Sequence, residues 1–501
     1  MFKNFRRWFM PLWITLFVVR ALMLCIGLDR LPMVPTVADE VFVNDPALAL
    51  SLGHDLTAFS LTHSRLGLDQ VFANYPPVFI FLQSLVFRMF GFSAVTLRAS
   101  GVACDLAGGL VFLLILRELR ERGIVDDLAS GFSGAVFLLQ PTTLAHAREA
   151  RMESLVLLLG SVAFYLALRA SRASNYSTHL WIGSATMMGL ALATHLAAIV
   201  TCVALCGWSI LHFRQIGMRR WLVVNIWPLV VLGTVWIATY GEKAREAFRQ
   251  TQQIASSLPP HSRFGLILKI GVPDSISGAE IAQLLPLVLA VFVLTAGAYR
   301  LFSTARTRQD GSGEWRASLV CLWCIVFTQV ALIEFALPSS GGTNRQVLTV
   351  PMGLVCLAVA ASHSVKASRK HIAGTFLLIC ALQIFAVSIY MGQLRNHWRD
   401  RSAERFDKAV GDIPAGASVV AVPELWFAFR SHNRSLTVNS SENGYWSESP
   451  GAFDPYDVVI LDQENSDAQL REKARIGRPI ERLIRTYPDR VFILFARPGL
   501  K

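Results

Sequence analysis

Along the first 390 positions, long apolar runs alternate with short polar stretches that are often basic. The runs hold about 18 to 22 residues, which as helix, at about 1.5 Å per residue, suffices to cross a hydrocarbon core of about 30 Å. They predict spans near 8–28, 97–116, 128–145, 153–168, 180–194, 196–211, 221–240, 281–299, 317–335, 346–362 and 372–391, eleven in all. The run from Trp181 to Leu211 is read as two crossings because of its length and the polar Thr194-His195 in its middle; one span is the alternative. The first run is span-length and lacks a small-residue cleavage site before Asp29, so it is read as a span and not a cleaved leader.

One apolar segment sets the direction of every later loop. Residues 76–90 number 15 and include Gln83 and Arg88, short for a crossing. With this segment left out, the loops assigned to the cytoplasm (1–8, 117–127, 169–178, 212–220, 300–316, 363–371) carry 18 Lys and Arg in 64 residues. The outer loops (29–95, 146–151, 241–280, 336–345) carry 11 in 123. Counting it as a span would turn most basic loops outward, against the positive-inside rule. The segment is therefore expected to lie in the interface as a helix begun by Pro76-Pro77. The N-terminus is then inside and the C-terminus outside, and a second interfacial helix in the first outer loop is opened by Asp45-Pro46.

Beyond residue 396 the pattern changes. Short β-type runs (Ser418 to Val422, Asp457 to Leu461, Val491 to Ala496) alternate with charged helical ones (Glu404 to Val410, Ala468 to Ile476). Residues 396–501 are expected to form a small α/β extracytoplasmic domain, and residues 1–395 a membrane module that projects outer loops 29–95 and 241–280. The domain has no Gly-rich phosphate loop.

Composition agrees with this organisation and removes alternatives. Of 501 residues, 53% are hydrophobic and only 16% charged, against about 25% in an average soluble protein. The net charge of +12 does not come with the low hydrophobicity of a disordered nucleic-acid-binding tail, so no nucleic-acid partner is expected. The cytoplasmic loops hold 18 basic and 6 acidic residues and the outer loops 11 of each, so the excess acts as an orientation signal. All eight cysteines fall inside spans, and no disulfide framework is expected. The Cys321 and Cys324 pair is read as small core residues.

The chemistry-bearing residues gather at the outer surface. Asp39 and Glu40 are adjacent acids just past the first span; a carboxylate held there among apolar neighbours suits a general base, and a solvated loop pair is the alternative. Between the third and fourth spans lies His146-Ala-Arg148-Glu-Ala-Arg151-Met-Glu153. Read as helix, it puts Glu149 and Glu153 on one face and Arg148 with Arg151 on another, a geometry suited to phosphate; a salt-bridged turn is the alternative. Arg20, Arg98, Asp105, His195 and Glu334 lie within spans, and Arg98 and Asp105, two turns apart, are candidates for a direct or relayed pair. The hydroxyl-rich turn Ser339 to Arg345, with Asn344, suits an anionic headgroup; a simple exposed turn is the alternative.

The order of these pieces resembles the GT-C glycosyltransferases of the protein O-mannosyltransferase and aminoarabinose-transferase type. The matching pieces are Ala38-Asp39-Glu40 in a long outer loop, Tyr75-Pro76-Pro77 opening a helix that ends Phe87-Arg-Met-Phe-Gly91, then Leu97-Arg98-Ala-Ser and Ala147-Arg-Glu-Ala-Arg151-Met-Glu153-Ser-Leu. Gly189 to His195 and Arg345-Gln-Val-Leu-Thr-Val-Pro351 extend the match. Tyr75 stands where relatives often have Lys, Glu153 where Asp is usual and His195 where Lys is common.

The resemblance implies a multi-pass protein of the cytoplasmic (inner) membrane, with its active site on the extracytoplasmic side. It implies transfer of a sugar from a polyprenyl-phosphate donor to a glycan, lipid or protein acceptor, through a hydroxyl or amine, among membrane lipids. Asp39 would be the general base, with Glu40 and Glu153 shaping the site. Tyr75, His146, Arg148, Arg151, Asn344 and Arg345 would bind substrate, the arginines facing the departing phosphate. A divalent cation held by Asp39, Glu40 and Glu153 is left open. The competing reading is a transporter or flippase of a lipid-linked saccharide, which would tend to show internal repeats and paired broken spans; no repeat appears and the acids cluster at one outer surface, while a non-catalytic scaffold would leave the acidic loop without a purpose.

Overall fold

The structure is a computed structural model. It describes residues 5–30, 37–54, 77–172, 177–195, 217–241, 369–396, 410–421, 425–438, 455–462, 480–485 and 491–497, with short pieces at 56–58 and 71–72 and scattered residues within 198–209 and 354–362. Its elements in order are α1 (Phe5–Cys25), α2 (Val37–Ser51), β1 (Thr57–Ala58), β2 (Val71–Phe72), α3 (Val78–Phe90), α4 (Ala94–Glu121), α5 (Asp127–Leu138) and α6 (Pro141–Ala147). Then come α7 (Glu153–Arg172), α8 (Ser177–Leu192), α9 (Met218–Tyr240), α10 (Arg369–Asn396), β3 (Val419–Ala421), α11 (Trp426–Ser431), β4 (Thr437–Val438), β5 (Val458–Asp462), β6 (Ile480–Arg485) and β7 (Val491–Ala496).

Among the described residues four helices are long and apolar enough to cross a membrane: α4, α7 over Glu153–Ser171, α9, and α10 over Ala373–Asn396. The expected spans at 281–299 and 317–335 lie outside the described residues, as does the outer loop from 242 to 280. Helix α4 starts at a capping box, in which Ser93 Oγ accepts from Thr96 N and Thr96 Oγ1 accepts from Ser93 N. At 28 residues it is about 42 Å long, longer than a bilayer core is thick.

The third expected span, 128–145, is not one helix. Helix α5 is 12 residues, about 18 Å, and ends at Leu138; α6 restarts at Pro141. Proline lacks the N–H that would continue the ladder and holds Gln140 extended at φ −63° and ψ 114°. Arg20 of α1 fills the break: it donates to Leu138 O at 3.0 Å and to Thr143 Oγ1 at 2.8 Å, and pairs with Asp105 of α4 through two 2.8 Å contacts. Asp105 therefore pairs with Arg20 and not with Arg98, which turns toward α2.

Helices α2 and α3 pack against each other, and α3 packs against α4. Helix α2 begins at Val37, so Asp45-Pro46 sits inside it and does not open it, contrary to the sequence expectation. Helix α3, about 20 Å long, is too short to cross. It buries Phe79, Ile80, Gln83 and Phe87 and turns Phe81, Leu85, Met89 and Phe90 outward, the one-sided pattern of a helix at an apolar boundary. Gln83 Nε2 donates to Leu97 O at 3.0 Å and Gln83 Oε1 accepts from Ser100 Oγ, stitching α3 to α4; Arg88 donates to Leu50 O at 2.6 Å, stitching it to α2.

The C-terminal elements form a five-stranded sheet in the order β4-β3-β5-β7-β6. Strand β3 is parallel to β4 and β5, while β7 is antiparallel to β5 and β6. Strands β3, β5 and β7 fall on the three β-type runs of the sequence. Strands β4 and β6 and the short helix α11 were not anticipated. One core cluster joins Val41 and Phe42 of α2, Phe79 of α3 and Leu97 of α4 to Trp426 and Phe429 of α11 and to Val419, Val458 and Leu494 of the sheet.

Candidate active site

Asp39 and Glu40 lie in the first turn of α2, not in a loop. Glu40 is buried. Its Oε1 accepts the Ala150 N–H at 2.8 Å, and its Oε2 stands 3.8 Å from an Arg98 nitrogen. One turn further along α2, Asn44 donates to Ala150 O at 2.7 Å and to Glu40 O at 2.7 Å. The Ala150 peptide is thus gripped on both edges by one helix. Arg98 also donates to Leu28 O at 3.2 Å and to Arg30 O, which brings the end of the first span to the same place.

Ala150 belongs to the turn between α6 and α7, where residues 148–152 are not helical. The turn passes so close to α4 that a Cβ on Gly101 would lie 2.9 Å from Ala147 O and 3.2 Å from Glu149 O. Because the segment unwinds, Arg148 and Arg151 do not share a face. Arg148 reaches back to Met23 O at 2.6 Å, while Arg151 bridges the acids, 2.7 Å from Glu153 Oε1 and 3.6 Å from Glu149 Oε2. His146 Nδ1 lies 3.0 Å from the same Glu149 oxygen. Glu149 and Glu153 are brought together by Arg151 between them and not by helical spacing.

The result is a buried group of Glu40, Arg98, His146, Arg148, Glu149, Arg151 and Glu153 at the site end of α2. Burial raises the Glu40 pKa above the ordinary value; Arg98 and the Ala150 N–H oppose that rise. Among the described residues Glu153 Oε2 has no hydrogen-bond partner although it is buried, so an acceptor remains inside the cluster. Chemically the cluster offers fixed positive charge for an anion next to carboxylates for a proton or a hydroxyl.

Among the described residues no three His, Cys, Asp or Glu converge on a point where they would hold a metal. Glu40 Oε2 lies 3.8 Å from an Arg98 nitrogen and Glu153 Oε1 lies 2.7 Å from Arg151. The Asp39 side chain, and Tyr75, Asn344 and Arg345 entirely, lie outside the described residues. His195 follows α8 and is half-buried. Asn44, Asp45 and Gln83 were missed as site-building residues; a polar residue inside an otherwise apolar helical run was the available signal.

Comparison with solved structures covers the chain end to end. ArnT from Cupriavidus metallidurans bound to undecaprenyl phosphate aligns over 97% of this chain and 98% of its own, with a TM-score of 0.61 and 14% identity. The Archaeoglobus fulgidus oligosaccharyltransferase in its apo form aligns over 90% of this chain and 70% of its own, with a TM-score of 0.55 and 12% identity. The chain shares its fold with these two structures. No family model and no curated protein matches the chain by sequence. The shared fold is thus carried here by a sequence that differs at most positions.

Proposed function

We propose that the chain is a membrane glycosyltransferase that moves a sugar from a polyprenyl-phosphate carrier to an acceptor hydroxyl or amine on the outer face of the cytoplasmic membrane. The observation that carries this reading is the grip of Glu40 and Asn44 on the Ala150 peptide, which joins the helix bearing Asp39 to a buried turn of arginines and carboxylates. The end-to-end likeness to a structure bound to undecaprenyl phosphate supports the donor class.

In the proposed reaction the Asp39 carboxylate takes the proton of the acceptor as the acceptor oxygen or nitrogen bonds to the anomeric carbon. The bond from that carbon to the phosphate oxygen breaks, and its electron pair leaves with the polyprenyl phosphate. Arg98 and Arg151 supply the positive field that favours this departure, with Arg345 as a further candidate. Glu40 and Glu153 hold those arginines in place. The outward apolar face of α3 offers the carrier's tail a path along the membrane boundary.

Asp39→Asn tests the base. General-base catalysis contributes about 10²- to 10⁴-fold, so turnover of radiolabelled polyprenyl-phosphate sugar should fall by at least about a hundredfold in a protein that still folds and inserts. Full transfer by the variant removes Asp39 from the role. If wild-type protein moves labelled lipid across a vesicle membrane without cleaving it, the flippase reading replaces this one.

A further inference from the structure

Five residues beyond Glu40 on α2, Asp45 is fully buried against the C-terminal elements. Its Oδ1 accepts from Trp426 Nε1 at 2.8 Å and from Arg430 Nε at 3.0 Å. Trp426 and Arg430 are four residues apart on α11, one helical turn, so both donors reach the same oxygen. The ring of Phe92, in the link between α3 and α4, meets the Trp426 ring edge-on at 5.6 Å and lies 5.3 Å from that of Phe427. Just past α11, Arg434 donates to Val410 O at 2.8 Å and Ile413 O at 2.9 Å, anchoring the short helix to the segment that leads into β3.

Apolar contact would suffice to dock a sheet on a helical module. A buried carboxylate is costly unless it is neutralised and hydrogen-bonded, and in return two charge-assisted or aimed donors on one oxygen fix direction and register. Helix α2 needs such fixing. Pro46 removes one of its own hydrogen bonds, and its site end is held by Glu40 and Asn44 on Ala150. Five helical residues separate the two anchor points by about 7.5 Å, so a shift at Asp45 is passed to Glu40 and Asp39 by a rigid rod.

We propose that Asp45, Trp426 and Arg430 are positioning residues, through which the C-terminal sheet holds α2 in the register that sets Asp39 and Glu40 against the 148–152 turn. This rests on the transferase reading above. The test uses full-length protein in detergent or nanodiscs and measures kcat, donor KM, thermal unfolding and hydrogen exchange of the α2 amides. Trp426→Phe keeps the ring and its packing but loses the donor; Arg430→Met keeps the stem; Asp45→Asn keeps an accepting oxygen.

A misplacement of about 1 Å can cost about a hundredfold in rate, so Trp426→Phe and Arg430→Met should each lower kcat by about tenfold or more. Donor KM should stay within about twofold, α2 exchange should quicken, and Asp45→Asn, which keeps the accepting oxygen but leaves the Arg430 charge uncompensated, should lose less kcat than Asp45→Ala. Asp45→Ala combined with Trp426→Phe should be no worse than Asp45→Ala alone, because both remove one interaction. Unchanged kcat with unchanged exchange overturns the proposal, and so does a loss that only follows the fraction of unfolded protein. If wild-type protein does not cleave the donor, the transferase reading fails, and α2 exchange then decides the pin alone: faster in Trp426→Phe keeps it, unchanged removes it.

Discussion

At Glu40 burial outweighs the pull of Arg98 and of the Ala150 N–H, leaving the carboxyl pKa above the ordinary glutamate value. Folding then binds a proton that the unfolded chain gives up. Stability from this group is complete below about pH 4.3 and declines as pH rises through the raised folded value. Glu40→Gln should flatten that decline, seen as a smaller drop in Tm between acid and neutral pH. Gly101 is a second residue-scale constraint, because the atoms its Cβ would meet are backbone oxygens that cannot rotate away. Gly101→Ala should cost about 1–3 kcal/mol in unfolding and slow sugar transfer by displacing the turn. The acids at 39 and 40 and the charged 146–153 stretch were both legible in the sequence. Their meeting was not, since it runs through the peptide of Ala150, and a backbone group leaves no mark in a residue pattern.

The same limit shows at the scale of elements. Apolar length located the long helices α4, α7, α9 and α10 but passed over the interruption at Leu139 and Gln140, which Gln140-Pro141-Thr142-Thr143 marks as a polar break in the run. Arg20, Asp105 and Arg98 were readable as costly intramembrane charges; their partners were not, because each lies on a different helix. The break makes Arg20 a joint between α1, α4, α5 and α6. Arg20→Met leaves Asp105 buried without this partner and uncovers the Leu138 carbonyl, and breaking such a pair costs about 3–5 kcal/mol. Arg20→Met together with Asp105→Leu should recover much of that loss. Chemical unfolding of the single and double variants in detergent measures the difference.

For the whole molecule, the length of α4 separates two sets of positions. The α2–α3 pair lies at its start and the C-terminal sheet shares a core with that pair, so the proposed topology puts these on one side of the membrane and the turn after Glu121 on the other. A membrane-impermeant thiol reagent should therefore label Leu52→Cys and Gly416→Cys from one face and Glu121→Cys from the opposite face. Labelling of all three from one side would refute the proposed topology. The contact between Asp45 and Trp426 joins positions 381 apart in the chain. A ribosome makes α2 among the first elements and α11 among the last, so through most of synthesis the spans can insert while the helix bearing Asp39 waits for its second anchor. Under the positioning proposal the reaction centre is finished only after residue 430 has been made, and a nascent or prematurely stopped chain would sit in the membrane without attacking the cell's pool of lipid-linked sugar.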